Sequence, residues 1–198
     1  MKFDAVILAG GKSTRMGRDK ARLEVGGQTL LARQIERARE AGAGQVYISG
    51  PADRNYADFG CAVLSDRFEG GGPLAGIEQA LAVGSSPVLL ALAVDLPDMS
   101  AEWLRRLAAE CPDDLGVIPK RNDFVEPLAA FYPTSARQLA EAQLGAGNNS
   151  AAHFARRCVA SGLARFRELA SGDEKYFANW NAPADWPVRG DCFSEHDP

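Results

Sequence analysis

Residues 5–20 read AVILAGGKSTRMGRDK. An unbroken apolar run turns, at Gly10 and Gly11, into a loop with two hydroxyls, two arginines and two lysines. A continuous apolar run closed by glycine reads as a strand buried on both faces, which is the habit of parallel sheets. The loop after it has the composition a phosphate needs. Glycines let the backbone approach closely and donate its amides. Arg15 offers a planar fork for phosphate oxygens, and Lys20 a mobile point charge. Met16 and Leu23 are placed to anchor the loop to the core.

The spacing excludes two common phosphate loops. Walker A requires GxxxxGK[ST]; Gly11, Lys12 and Ser13 supply its end, but the first glycine should be residue 6, which is Val6. The dinucleotide fingerprint GxGxxG fails because Lys12 follows Gly10 and Gly11. A second cluster, Gly70, Gly72 and Gly76, spells GxGxxxG and follows the third predicted strand rather than the first. A P-loop phosphoryl transferase and a dinucleotide oxidoreductase are both disfavoured.

Outward from the loop, apolar runs alternate with amphipathic segments. Thr29 is placed to cap a helix over LLARQIERAREAG, with Leu31, Ile35 and Ala38 as its stripe and Gly42 ending it. QVYISG and CAVLSD read as the second and third strands. PLAGIEQALAVG reads as a helix with Pro73 in its first turn, Leu74, Ile77 and Leu81 on one face, and Gly84 closing it. PVLLALAVD is the strongest strand and runs to Asp95. Ser100 caps a helix bearing Trp103, Leu104 and Leu107. GVIPK and VEPLAAFYP read as strands, residues 135–144 and 150–159 as short helices, and LARFREL as a late strand. This order predicts an α/β fold with a mainly parallel sheet. Ligands of such sheets bind at the carboxyl ends of the strands. The glycine loop, Asp66 and Asp95 should therefore share one rim. Without an internal repeat or linker, residues 1–187 are expected to form one domain and residues 188–198 a flexible tail.

The chain has 198 residues, 46% hydrophobic and 24% charged, enough for a sizeable core. A net charge of −4 gives no field favouring nucleic acid or an anionic membrane. An anionic ligand must be held by local basic groups and backbone amides. No apolar run is long enough to span a bilayer, and the first is too short for a signal peptide, so a cytoplasmic protein is expected. Cys61, Cys111, Cys158 and Cys192 are scattered without a CxxC, as reduced thiols would be. His153 and His196 stand alone.

The opening loop resembles the signature of nucleotidyltransferases of the MobA-like, molybdenum-cofactor guanylyltransferase type. In the wider superfamily of sugar-phosphate nucleotidyltransferases the lysine usually stands seven residues after the arginine, behind a proline. Here Lys20 follows Arg15 by five and Asp19 precedes it, as in the molybdopterin branch. AGG at residues 9–11 and Asp19 before Lys20 favour the guanylyl over the cytidylyl side. The resemblance continues through Asp66 and GPLAG at residues 72–76, VDLP at 94–97, EPL at 126–128 with Tyr132, and NWNAPAD at 179–185. Ala182 replaces a usual threonine, and Ser49 and Gly50 stand where relatives often carry an asparagine.

The resemblance implies a single-domain, Rossmann-like three-layer sandwich of the nucleotide-diphospho-sugar transferase kind. It implies transfer of GMP from Mg-GTP to the terminal phosphate of molybdopterin or its molybdenum form, with release of pyrophosphate. Such chemistry requires charge neutralisation and alignment rather than a side-chain nucleophile. Arg15 and Lys20 would grip the phosphates. Asp95 would hold Mg2+, with Asn181 as a second oxygen donor. Leu8, Ala9, Gly10 and Gly11 would line the nucleotide. Asp66 would accept from base or ribose, and Gly72, Pro73, Leu74 and Gly76 would form the adjoining wall. Arg121, Asn122 and Arg18 are candidates for the acceptor side. The implied partners are GTP and molybdopterin, with transient contacts to other cofactor-biosynthesis proteins or acceptor apoenzymes. The alternatives are a molybdopterin cytidylyltransferase or another small-molecule nucleotidyltransferase, and a nucleotide-binding regulator without catalysis.

Overall fold

The chain is described by a computed structural model covering residues 1–10, 19–51, 54–112 and 114–178. Gly11, Arg15, Met16, Arg18, Asn181 and the expected tail at residues 188–198 lie outside the described residues, as does the NWNAPAD stretch. From the amino terminus come β1 (Phe3–Leu8), a short hairpin of β2 (Glu24–Val25) and β3 (Gln28–Thr29), and α1 (Leu30–Ala41). Next are β4 (Val46–Ser49), β5 (Ala62–Leu64), α2 (Gly72–Val83), β6 (Val88–Ala93) and α3 (Ala101–Ala109). The second half holds β7 (Gly116–Arg121), β8 (Phe124–Val125), β9 (Ala129–Pro133), α4 (Arg137–Gly145), α5 (Ala151–Ala160) and β10 (Ala164–Glu168). The hairpin between the loop and α1 was not expected from the sequence, because each of its strands is only two residues long and shows no period.

The helix signals act where expected. Thr29 Oγ1 accepts from Ala32 N–H, and Ser100 Oγ from Trp103 N–H, each cap stabilising its helix by about 1 kcal/mol. Gly42 ends α1 in the left-handed region. The fourth helix begins two residues later than predicted, because residues 134–136 form a separate 3-10 turn.

The main sheet runs in the order β10-β7-β9-β6-β1-β4-β5, with β8 paired on β7. Six strands of that path share one direction and β9 opposes them. Strand alternation divides the core. Phe3, Ala5 and Ile7 of β1 and Val88, Leu90 and Leu92 of β6 face the layer of α1 and α3. Val6, Leu8, Leu89 and Ala91 face the layer of α2, α4 and α5. Full burial of a side chain such as Leu104 or Leu74 contributes about 2 kcal/mol, so both layers are needed to cover a sheet apolar on two faces.

The expected single strand VEPLAAFYP is divided. Residues 124–125 return from β7 in a tight hairpin, residues 126–128 bend, and β9 then runs antiparallel between β6 and β7. The proline at 127 stands at the bend. Tyr132, fully buried, donates its hydroxyl to the Pro127 carbonyl at 2.8 Å and fixes that bend from inside the core. Because β9 is reversed, its beginning lies at the rim where β6 ends, and Ala93 N–H donates to the Leu128 carbonyl at 2.8 Å.

Candidate active site

The carboxyl ends of β1, β4 and β6 are knitted together. Ala9 N–H donates to the Ser49 carbonyl at 2.7 Å, and Val94 N–H to the Leu8 carbonyl at 3.2 Å. Those two groups of Leu8 and Ala9 serve the sheet, and Gly10 is the first residue of the loop to stand exposed. Two residues beyond β6 is Asp95. Its Oδ2 lies 3.7 Å from Lys20 Nζ, with both side chains half-buried. Two residues far apart in sequence thus meet at the carboxyl rim of the sheet.

Lys20 is set by the residue before it. Asp19 caps the 3-10 turn Lys20–Arg22 by accepting from Ala21 N–H at 3.1 Å. Its other oxygen accepts the Tyr56 hydroxyl at 2.9 Å and lies 3.2 Å from the Arg54 guanidinium. Burial, and then the Asp19 bond, push the Tyr56 hydroxyl well above an ordinary phenol, so it stays a donor. One turn on, Arg22 makes two 3.0 Å bonds to Asp58 and lies over the Phe59 ring. The segment around Tyr56 therefore grips the segment that carries Lys20. Sequence reading missed Tyr56 and Arg54, since neither carries a local signal. A Cβ on Gly50 would come within 2.5 Å of the Tyr56 ring, so this ring occupies the space a side chain at residue 50 would need.

A second group forms at the end of β4. Ser49 Oγ donates to Asp66 Oδ1 at 3.3 Å. Asp66 is open to solvent on one side, but the protein crowding its inner side pushes its pKa up, opposed by the Ser49 bond. Gly76 is where α2 crosses this cluster; a Cβ there would fall 2.2 Å from Ser49 Oγ and 2.9 Å from Leu8 Cδ2. The last glycine of GPLAG thus lets the helix pack onto β1 and β4, and Leu74 is fully buried in the core. The Leu74 side chain and Gly76 therefore shape the wall from behind. Gly72, exposed, and Pro73, half-exposed, are the members of that stretch which reach the surface.

The bend after β8 adds Glu126, half-buried, with its pKa raised by desolvation and lowered in part by Arg121. Beyond it, the β7–β8 hairpin carries exposed Arg121 and Asn122, and Phe124 is 73% exposed. Asn122 is pinned by its N–H to Glu168 at 2.8 Å.

Among the described residues no group of three or more His, Cys, Asp or Glu side chains could enclose a metal ion. A single carboxylate such as Asp95 suits Mg2+, which keeps its waters and takes its remaining ligands from substrate phosphates. A thiol- or imidazole-preferring metal has no matching donor set among these residues. Cys61, Cys111 and Cys158 are free thiols, two of them buried. No helix among the described residues is long and apolar enough to cross a membrane.

Residues 5–162 match the MobA-like NTP transferase domain family. The chain belongs to that family. A probable molybdenum cofactor guanylyltransferase of Opitutus terrae is 40% identical over 182 residues, covering 90% of each chain. The molybdenum cofactor guanylyltransferase of Syntrophotalea carbinolica is 33% identical over all of this chain and 97% of its own. Among solved structures, molybdopterin-guanine dinucleotide biosynthesis protein A from Archaeoglobus fulgidus superposes with a TM-score of 0.72 at 23% identity, over 92% of this chain and 94% of that one. At that identity the likeness speaks for the fold, a mostly parallel sheet between two helical layers.

Proposed function

We propose that this member of the MobA-like family is a molybdenum cofactor guanylyltransferase, joining GMP from GTP to the terminal phosphate of molybdopterin and releasing pyrophosphate. The observation that carries the reading is the Lys20–Asp95 pair at the carboxyl rim of the sheet. A cation and a carboxylate so placed serve a magnesium triphosphate. The carboxylate faces the metal and the ammonium turns to the phosphates. Two relatives matched over at least 90% of this chain carry the guanylyltransferase name.

In this reading an oxygen of the acceptor's phosphate monoester attacks the α-phosphorus of GTP. The bond between that phosphorus and the α–β bridging oxygen breaks, and the electron pair leaves with pyrophosphate. The monoester is already mostly dianionic near neutral pH and needs no strong general base. Lys20, with Arg15 from the loop, holds the departing pyrophosphate, where preorganised charge counts most. Asp95 holds Mg2+, with Asn181 as a second donor. A Mg2+ held there would supply neutralisation of the phosphate charge. Leu8, Ala9, Gly10 and Gly11 border the nucleotide, and Asp66 accepts from its base or ribose beside Gly72 and Pro73. Arg121 and Asn122 lie on the acceptor side. The reaction takes place in the cytoplasm, with transient contacts to other proteins of cofactor biosynthesis or to acceptor apoenzymes.

The test is incubation with α-labelled GTP or CTP, molybdopterin and Mg2+. Label from GTP should pass to the pterin with one pyrophosphate released per transfer. Transfer from CTP alone would sink the guanylyl reading, and GDP as product would point to phosphoryl transfer instead.

A further inference from the structure

Asp95 is held from both sides by its backbone neighbours. Before it, Val94 N–H is bound to the Leu8 carbonyl. After it, the Leu96 carbonyl collects three donors: Met99 N–H at 3.1 Å, Gln34 Nε2 at 2.6 Å and Arg37 Nη1 at 3.4 Å. Two of these come from α1, on a different element. Pro97 follows Leu96 and brings no N–H of its own, so the turn depends more than most on outside donors.

Gln34 is an unusual residue for its position. It is fully buried on the apolar face of α1, among Leu30, Leu31, Ile35 and Ala38. Its Oε1 has no hydrogen-bond partner among the described residues. An unpaired buried acceptor costs about 1–3 kcal/mol, which leucine or methionine of similar volume would avoid. Gln34 therefore burdens the core with a polar group whose paired half serves only the Leu96 carbonyl. Arg37 reaches the same oxygen more loosely. Burial, and then neighbouring Arg33, lower its pKa to about 10, which leaves it charged and donating at neutral pH.

We propose that Gln34 is a positioning residue that, through the Leu96 carbonyl, holds the Asp95 carboxylate toward the magnesium triphosphate and beside Lys20. The inference rests on the proposed role of Asp95 in nucleotidyl transfer. It accounts for a glutamine where the core alone favours an apolar side chain. It also accounts for the short bond falling on the residue next to Asp95.

Gln34→Leu and Gln34→Met test it in the full chain. Four quantities are compared with the natural protein: thermal midpoint, kcat, KM for GTP, and Mn2+ affinity of the protein–GTP complex, read by electron paramagnetic resonance of free Mn2+. The midpoint should be unchanged or higher, since the unpaired oxygen is gone. Mn2+ affinity and kcat should each fall about tenfold, the scale seen when a support of a metal ligand is removed. KM for GTP should stay within about twofold. Natural Mn2+ affinity and kcat in either folded variant overturn the proposal. Asp95→Ala separates the two levels. Lost turnover in Asp95→Ala beside natural behaviour in the Gln34 variants removes only the role of Gln34, whereas undiminished turnover in Asp95→Ala removes the reading beneath it.

Discussion

The two rims of the sheet each carry a carboxylate, and they are treated in opposite ways. At the amino rim, Asp4 is 2% exposed and accepts from Gln45 N–H, Ser85 N–H, Ser86 N–H and the Ser86 hydroxyl, all within 3.1 Å. Those donors belong to the turns before β4 and β6, which the carboxylate ties together. At the carboxyl rim, Asp95 faces Lys20 at 3.7 Å, beyond the 2.7–2.9 Å of a tight charge-assisted bond. Asp66 has one longer bond from Ser49. One residue type thus closes the structure at one end and, among the described residues, takes few donors at the other. Among those residues the difference lies in how many donors are aimed at each carboxylate.

Substitution at each rim can break the comparison. Asp95→Ala should have the largest effect, lowering kcat by about a thousandfold or more while the thermal midpoint barely moves. Lys20→Ala should cost about a hundredfold in kcat, with little change in which base is used. Asp4→Ala should do the reverse. Its unpaired donors should cost about 3 kcal/mol and lower the thermal midpoint by about 10 °C, with kcat of the folded protein unchanged. A catalytic loss in Asp4→Ala at a temperature where it is folded would erase the distinction between the rims.

Smaller changes sharpen it. Tyr56→Phe removes one hydrogen bond to Asp19, worth about 1 kcal/mol. If Tyr56 sets Lys20, kcat should fall by about fivefold, with the step that forms pyrophosphate slowed and GTP KM little changed. The smallest effect concerns pH. The raised pKa of Asp66 means that the folded protein favours its neutral form. Its contribution to stability is therefore present at low pH and fades as pH rises through the folded pKa. Its full acceptor capacity, by contrast, is reached only when the group is ionised, above that pKa. The acid limb of kcat/KM for GTP should be shifted toward higher pH than an unperturbed aspartate would give, and Asp66→Asn should flatten it. An unchanged limb would remove Asp66 from nucleotide binding.

Much of the frame was legible in the chain. The apolar run of β1, the caps at Thr29 and Ser100 and the stripes of α1 and α3 are local signals, and each acts where its chemistry predicts. The glycine spacing at residues 10–11 excluded the wrong phosphate loops, and Lys20, Asp95 and Asp66 do reach one rim. The antiparallel course of β9 was not legible. An apolar strand has the same alternation in either direction, and only pairing with β6 and β7 selects one. Gly76 read as part of a nucleotide wall, and its close approach to Ser49 and Leu8 adds a packing role that a motif does not record.

The sequence by itself determined most element types and the two-faced burial of the sheet, because these rest on periodicity, capping and short spacings within one stretch of chain; its ordered motifs carried the resemblance to the family. Only the tertiary structure decided that Asp4 is consumed by donors of the turns before β4 and β6, and that Asp95 meets Lys20. It also decided that Tyr56 holds Asp19 beside Lys20 and that Gln34 holds the turn beside Asp95. Those bonds join elements that meet only after the helical layers close on the sheet. No local pattern of the chain encodes which donor will arrive there.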